Sequence, residues 1–230
     1  GFPNTEITPY DWGTASSRAT FSVGNAVRMA ALDARKQILE QASKALEEDP
    51  EDLDIKDGKV FVKKARDRYV GISDLDHGIY AGQGGPILGR GIFTTKPYYI
   101  PLNEQGLSKK PTAFWIYASQ GAEVKVDVET GMVRVLRLVG VHDAGRAINP
   151  LGCEGQITGA LVMGMGIALT EEVVLKNGKT VNPNFRDYKL LTALDAPELV
   201  CCIVEVPHQE GPFGAKGLGE PGLGPTAAAI

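Results

Sequence analysis

Cysteine and histidine are scarce in this sequence. There are three cysteines (Cys153, Cys201 and Cys202) and three histidines (His77, His142 and His208) in 230 residues. An odd number of cysteines, two of them adjacent, argues against a disulfide framework. A reducing compartment fits better, and a cytoplasmic location is expected. Three thiols fall short of the four that usually hold an iron–sulfur cluster. No spacing among the six residues matches a zinc site, and no metal ligand is assigned. Long hydrophobic runs are missing too. The longest apolar stretch, GALVMGMGIAL at 159–169, is well short of the roughly 18 residues needed to span a bilayer. It reads as a buried helix, and neither a membrane span nor a signal peptide is expected. Positive charge does not dominate. Lys and Arg number 24 against 28 Asp and Glu, a net charge of −4, which argues against a nucleic-acid partner.

What is present is the composition of an ordinary soluble globular chain, 43% hydrophobic and 23% charged, with length enough for an ample core. The sequence opens on GFPNTEITPYDWG without an initiator Met. It stops at GPTAAAI, a helix start with no helix after it. A fragment of a longer polypeptide is therefore expected.

From Ser16 the pattern turns helical. Val23, Val27, Ala30, Ala31, Ala34, Ile38, Ala42 and Leu46 recur at spacings of three and four until Pro50. Two short alternating runs around Asp57-Gly58 read as a hairpin. The segment 64–112 is less regular, with a glycine cluster, GQGGPILGRG, and a tyrosine-rich KPYYIP. Two long strands meet at a turn near Thr130-Gly131, with Val124, Val126 and Val128 before it and Val133, Val135 and Leu136 after it. Residues 152–171 form a second helix, Asn177-Gly178 a second hairpin, and LVCCIVEV a strand. The implied class is α+β, with mixed, mostly antiparallel sheets and two main helices. A division into two halves is expected near the first hairpin, at 50–65.

Three stretches can carry chemistry. In GTASSRAT, residues 13–20, four hydroxyls and Arg18 precede a helix whose N-terminus is suited to an anion. Plain capping by Thr14, Ser16 or Ser17 is the better reading from spacing alone. In GQITGALVMGMGIALTEE, residues 155–172, Gly155, Gly159, Gly164 and Gly166 clear one side of a helix at roughly 1 kcal/mol each. Helix packing is the favoured reading of these glycines, and Gln156 is the polar residue able to meet a ligand. In GAKGLGEPGLG, residues 214–224, glycines permit positive φ and close backbone approach around a lone carboxylate, Glu220. A solvated turn explains that stretch equally well. Two patterns are set aside. GQGGPILGRG lacks the βαβ spacing of a dinucleotide loop. His142-Asp143 has no Ser or Cys in nucleophile context, so no triad is credible.

GTASSRAT, VDVETGMVRV…HDAGRAINP, GQITGALVMGMGIALTEE and GAKGLGEPG occur in one order. Together they resemble the molybdopterin-binding subunit of the xanthine dehydrogenase and aldehyde oxidase family, over about residues 5–230. The resemblance implies that residues 1–230 are the C-terminal part of a molybdopterin-binding domain. It implies a molybdenum–molybdopterin cytosine dinucleotide whose metal has no protein ligand, which accords with loops rich in Gly, Ser and Thr. Thr14 and Ala15, Ser16 and Ser17 match the segment beside molybdenum and pterin, with Ala15 and Ser16 near metal and substrate. Ser17, Arg18 and Thr20 match positions toward the phosphates. Gln156 matches a cofactor-bonding glutamine, and Lys216 and Gly217 lie in the loop of Glu220, the matching catalytic glutamate. Ser16 stands where some members have alanine, which makes for a more polar pocket.

The function so implied is hydroxylation of an aldehyde or a purine-like N-heterocycle, with water as oxygen source. Glu220 takes the proton of the attacking oxygen, from a largely dry loop that raises its pKa. A reductase of the hydroxybenzoyl-CoA branch is a variant, and a silent assembly or scaffold relative is the alternative of another class. Iron–sulfur clusters and FAD are expected in other domains or subunits. The remainder of the molybdenum subunit is an expected partner, without which the fragment neither binds cofactor tightly nor turns over.

Overall fold

The computed structural model describes residues 4, 6, 10, 11, 13–75 and 87–230. His77 and residues 82–86 of the glycine cluster lie outside these. The chain forms two compact units, one of residues 1–21 with 95–230 and one of residues 22–94. The Asp57-Gly58 hairpin lies inside the second unit.

Helix α1 runs Ala19–Leu46, as the apolar spacing predicts. It ends where Glu47 turns left-handed (φ 54°). The Ser43 hydroxyl there donates to the Glu48 carbonyl at 2.6 Å, and Asp49 caps a single turn that starts at Pro50. Strands β1 (Leu53–Lys56), β2 (Lys59–Val62) and β3 (Ala65–Gly71) follow as an antiparallel sheet. Asp57 and Gly58 both hold positive φ, 51° and 73°, which is the geometry a two-residue hairpin of this twist requires. Leu39, Ala42, Leu53, Val60, Val62 and Leu75 are the buried core of this unit. The last glycines of the cluster have a packing reason. A Cβ on Gly89 or Gly91 would lie 2.1 Å from the Ala30 carbonyl oxygen or 2.0 Å from that of Ala26. The 87–91 backbone therefore rides on the alanine face of α1. Asp33 accepts from the Arg90 amide at 2.9 Å and Gln37 donates to the Leu88 carbonyl at 2.9 Å.

In the other unit, β4 (Ala118–Val126) and β5 (Val133–Asp143) are the two predicted long strands. Their alternation is interrupted. Glu123 faces Arg137 and Val124 faces Val135, so Leu136 is a bulge residue with no partner. The bulge changes the phase of β5. Val135 before it and Leu138 after it therefore reach the same core, while Leu136 is 40% exposed. Val126 and Val128, part of the alternation before the turn, are also exposed, because they lie at the open end of the ribbon.

Helix α2 spans Pro150–Leu169. The hairpin of β6 (Leu175–Lys176) and β7 (Lys179–Thr180) turns at Asn177 and Gly178, both with positive φ. Strand β8 (Glu198–Val204) then pairs parallel to β5, so α2 lies within a crossover. Helix α3 is a single turn, Thr226–Ala229. Leu138, Ile157, Leu161 and Met165 form the core. The expectation that 159–169 is wholly buried is corrected here. Ile157, Ala160, Leu161, Gly164, Met165 and Gly166 are buried, but Met163 and Ile167 on the other side are more than half exposed. Only one face of α2 meets the sheet. Among the described residues no helix is long and apolar enough to cross a membrane.

Candidate functional site

A cavity of about 390 Å³ opens in the unit built on β4, β5 and β8. Thr14, Ser17 and the first residues of α1, Ala19 and Thr20, form one wall. The exit of β5 and the first turns of α2 form another, through Ala144, Arg146, Asn149, Gly152, Cys153 and Gln156. Lys216, Leu218 and Gly219 close it. Two helices thus begin at the cavity, and their positive ends face it. Its lining holds two cations, Arg146 and Lys216, and no carboxylate. Such a space favours an anion with many hydrogen-bonding groups.

Local sequence explains each wall. Asn149 caps α2, its Oδ1 accepting from the Gly152 amide at 3.0 Å, and Pro150 pre-sets the first turn. Gln156 follows on the exposed side of that helix. The glycines of α2 divide by use. A Cβ on Gly164 would lie 2.4 Å from Thr226 Oγ1, so that glycine lets α3 approach. Gly155 and Gly159 would meet nothing within 4 Å, so their side of the helix is open.

The 13–18 loop is more strained than a cap requires. Gly13, Ser16 and Ser17 all hold positive φ, the two serines at 55° and 51°. Arg18 is turned back on its own loop, donating to the Gly13 carbonyl at 2.7 Å and pairing with Asp11 at 3.4 Å. The Ser17 hydroxyl does not cap α1. It donates to Glu220 Oε2 at 2.9 Å and accepts from the Glu220 amide at 2.8 Å. Gly217 makes this possible, since a Cβ there would lie 1.4 Å from the Ser17 carbonyl oxygen. Downstream, Gly222 packs on Ala160 and His142, and its carbonyl accepts from Gln120 Nε2 at 2.5 Å.

Of the predicted residues, Thr14, Ser17, Thr20, Gln156 and Lys216 line the cavity. Ala15, Ser16, Arg18, Gly217 and Glu220 lie in the same two loops, just behind or beside its surface. Glu220 is exposed in this chain, where a largely dry setting was expected. The 13–18 loop covers one side of it, where Ser17 bonds both its carboxylate and its amide.

Sequence reasoning passed over Asp143, Arg146 and Asn149. Asp143 is buried and its Oδ2 lies 2.5 Å from Lys216 Nζ. Burial alone would raise its carboxyl. The Lys216 ammonium and the amides of Gly145 and Val206 outweigh that and hold it below the usual carboxylate range. The neighbouring His142 is fully buried, and among the described residues neither ring nitrogen has a partner. Burial pushes its pKa down, so the ring is neutral. Cys153, on the cavity wall, is pushed up by burial and then by Glu205 and Glu154, which keeps it a thiol. Among the described residues no three His, Cys, Asp or Glu are grouped to hold a metal ion.

These features define an α+β domain with an anion-favouring cavity and the Glu220 carboxylate in a loop at its side. Residues 2–197 match the family model of the molybdopterin cofactor-binding domain, and the chain belongs to that family. It is 32% identical to a putative xanthine dehydrogenase molybdenum-binding subunit of Escherichia coli strain K12, over 99% of this chain and 29% of that one. It is 34% identical to the gamma subunit of a 6-hydroxypseudooxynicotine dehydrogenase complex of Paenarthrobacter nicotinovorans, over 99% and 28%. Among solved structures, the aldehyde oxidoreductase of Desulfovibrio gigas matches with a TM-score of 0.75 and 28% identity, over 100% of this chain and 22% of that one. The chain spans less than a third of the length of these relatives.

Proposed function

We propose that this chain is the part of a molybdenum hydroxylase that cradles the molybdopterin dinucleotide and supplies the proton acceptor. The substrate is an aldehyde or an electron-poor aromatic N-heterocycle, and water is the oxygen source. The cavity fits the group: it is roomy, free of carboxylates, lined by hydroxyls, amides and the Arg146 guanidinium, and backed by no metal-ligand cluster among the described residues. When bound, the molybdenum–pterin group supplies two-electron redox chemistry.

The chain's own residues do the rest. Thr14, Thr20, Asn149 and Gln156 offer short polar contacts to the cofactor, and Ser17 holds Glu220 beside it. Ala15, Ser16, Arg18 and Gly217 shape the loops that present them. Arg146 faces the anionic end. Glu220 Oε2 accepts from Ser17, which fixes the carboxylate and leaves Oε1 to take a proton from the attacking oxygen. The relatives are more than three times as long, and in a subunit of that length further residues would close over Glu220. The cytosine dinucleotide form, the iron–sulfur and flavin partners and a cytoplasmic setting belong to this same reading.

The observation that carries the proposal is the paired bonding of Ser17 and Glu220 beside the cavity. Metal and nucleotide analysis of the matured full-length complex tests it. Molybdenum and a releasable cytidine nucleotide are expected in stoichiometric amount. A properly matured complex without molybdenum would sink it.

A further inference from the structure

We propose that the buried Asp143–Lys216 ion pair is a clamp that positions Glu220, and that the Lys216 charge answers Asp143 rather than a ligand in the cavity. The inference rests on the reading of Glu220 as the proton acceptor. Lys216 Nζ is 2.5 Å from Asp143 Oδ2, with the two side chains 7% and 8% exposed. The other carboxylate oxygen accepts from the Gly145 amide at 2.8 Å and the Val206 amide at 3.4 Å. Asp143 thus accepts from one ammonium and two backbone amides, and both members of the pair are buried.

The backbone at Lys216 is fixed to the same place, its amide donating to the Ala144 carbonyl at 3.0 Å. Both main chain and side chain of Lys216 are thus tied to the end of β5. Gly217 then lies directly on the Ser17 carbonyl, and the Glu220 amide reaches the Ser17 hydroxyl at 2.8 Å. The segment 216–220 is pinned at one end by Asp143 and at the other by Ser17. Its glycines, Gly217 and Gly219, give it no stiffness of its own. Without the first pin, the second has to place the carboxylate alone.

Removing one member of a buried pair leaves an uncompensated charge, whereas replacing both by apolar groups of similar volume is often neutral for stability. That difference separates a clamp from a cofactor-binding cation. The experiment compares Asp143→Leu, Lys216→Met and the double variant in the full-length, cofactor-loaded enzyme complex. Amide hydrogen exchange of residues 217–222, molybdenum content and kcat are followed. Each single variant is expected to speed exchange in 217–222 and to lower kcat about tenfold or more, since small misplacements of a reacting group are costly. KM and molybdenum content stay near wild type. The double variant returns exchange and kcat most of the way.

Unchanged exchange in both single variants overturns the clamp. So does loss of molybdenum in Lys216→Met and the double variant with retention in Asp143→Leu, because the ammonium would then be holding the cofactor. A double variant that regains exchange protection yet stays as slow as the singles, with cofactor full, also overturns it. The exchange pattern is readable in a complex that holds no molybdenum, so failure of the proposed function and failure of the clamp are distinguishable.

Discussion

Ser17 and Glu220, 203 residues apart in sequence, are joined by two hydrogen bonds through a single hydroxyl oxygen, which donates to the carboxylate and accepts from the backbone amide of the same residue. The arrangement fixes both the direction of the side chain and the course of the loop beneath it. Ser17 reaches it only from a left-handed backbone (φ 51°), so the strain of the 13–18 loop has an identifiable use. Ser17→Ala removes both bonds without adding bulk. In the full-length enzyme it is expected to lower kcat roughly tenfold, the loss of about one charge-assisted hydrogen bond, with molybdenum content unchanged. Steady-state kinetics beside metal analysis checks this. Loss of the metal in step with kcat would make Ser17 a cofactor ligand first and a partner of Glu220 second.

The two arginines near the cavity separate in their expected effects. Arg18 is engaged by Gly13 and Asp11 of its own loop, while Arg146 lines the cavity. Arg146→Ala is expected to weaken retention of the cofactor by about 10- to 100-fold, the range for a hydrogen bond to a charged group. Arg18→Ala is expected to act mainly through the loop, with a smaller effect on cofactor content. Nucleotide released from the purified complexes, measured after dialysis at graded salt, ranks them. A larger loss in Arg18→Ala than in Arg146→Ala reverses the assignment.

Much of this was legible in the sequence, and the reasons divide by range. Local chemistry was readable: Asp57-Gly58 and Asn177-Gly178 need positive φ, and those residue types supply it. The helical period from Ser16 onward gave α1. The bulge at Leu136 has only a faint trace, the adjacent Val135-Leu136 and the spacing of three between Arg134 and Arg137, and the pairing of Glu123 and Val124 locates it. At the site, the order of the loops was legible, but what each side chain bonds to was not. Ser17 read as a cap because its partner is 203 residues away. Asp143 was passed over in a search for a nucleophile, when its partner was a lysine 73 residues on. Gly155 and Gly164 look alike in sequence, and only the position of Thr226 tells the open side of α2 from the packed one.

His142 gives a pH test of folding independent of cofactor. Its folded pKa is depressed by burial, so below about pH 6.5, the ordinary histidine value, the unfolded chain takes up a proton that the folded one refuses. Its contribution to stability is therefore complete above that pH and is lost as pH falls through and below it. His208 is shifted the same way, by burial and then by Lys216, and adds to the slope. His142→Leu fills the site without a titratable group and is expected to flatten part of the fall in Tm as pH is lowered from about 7.5 to about 5. A slope identical to wild type would mean that His142 is protonated in the fold, or reaches water there.

Glu220→Gln bears most directly on the chemistry. The substitution keeps volume, and the amide oxygen still accepts from Ser17, so the loop is expected to stay in place. What is lost is the oxygen able to take a proton. In the full-length, cofactor-loaded enzyme kcat is expected to fall at least about 10²-fold, the low end for general-base catalysis. Molybdenum content should remain near normal, since Glu220 does not line the cavity. The loss should fall in the reductive half-reaction, before any electron leaves the molybdenum centre. Rapid-mixing kinetics under anaerobic conditions, following metal reduction by substrate, isolates that step. The comparison with Ser17→Ala sharpens the result. Removing the support should cost less than removing the base, and the double variant should be no slower than Glu220→Gln alone, because a hydroxyl that acts only through a carboxylate has nothing to do once the carboxylate is gone. A mutant that reduces its metal at close to the wild-type rate shows that Glu220 is not the base. A double variant much slower than either single shows that Ser17 touches the reaction by a second route.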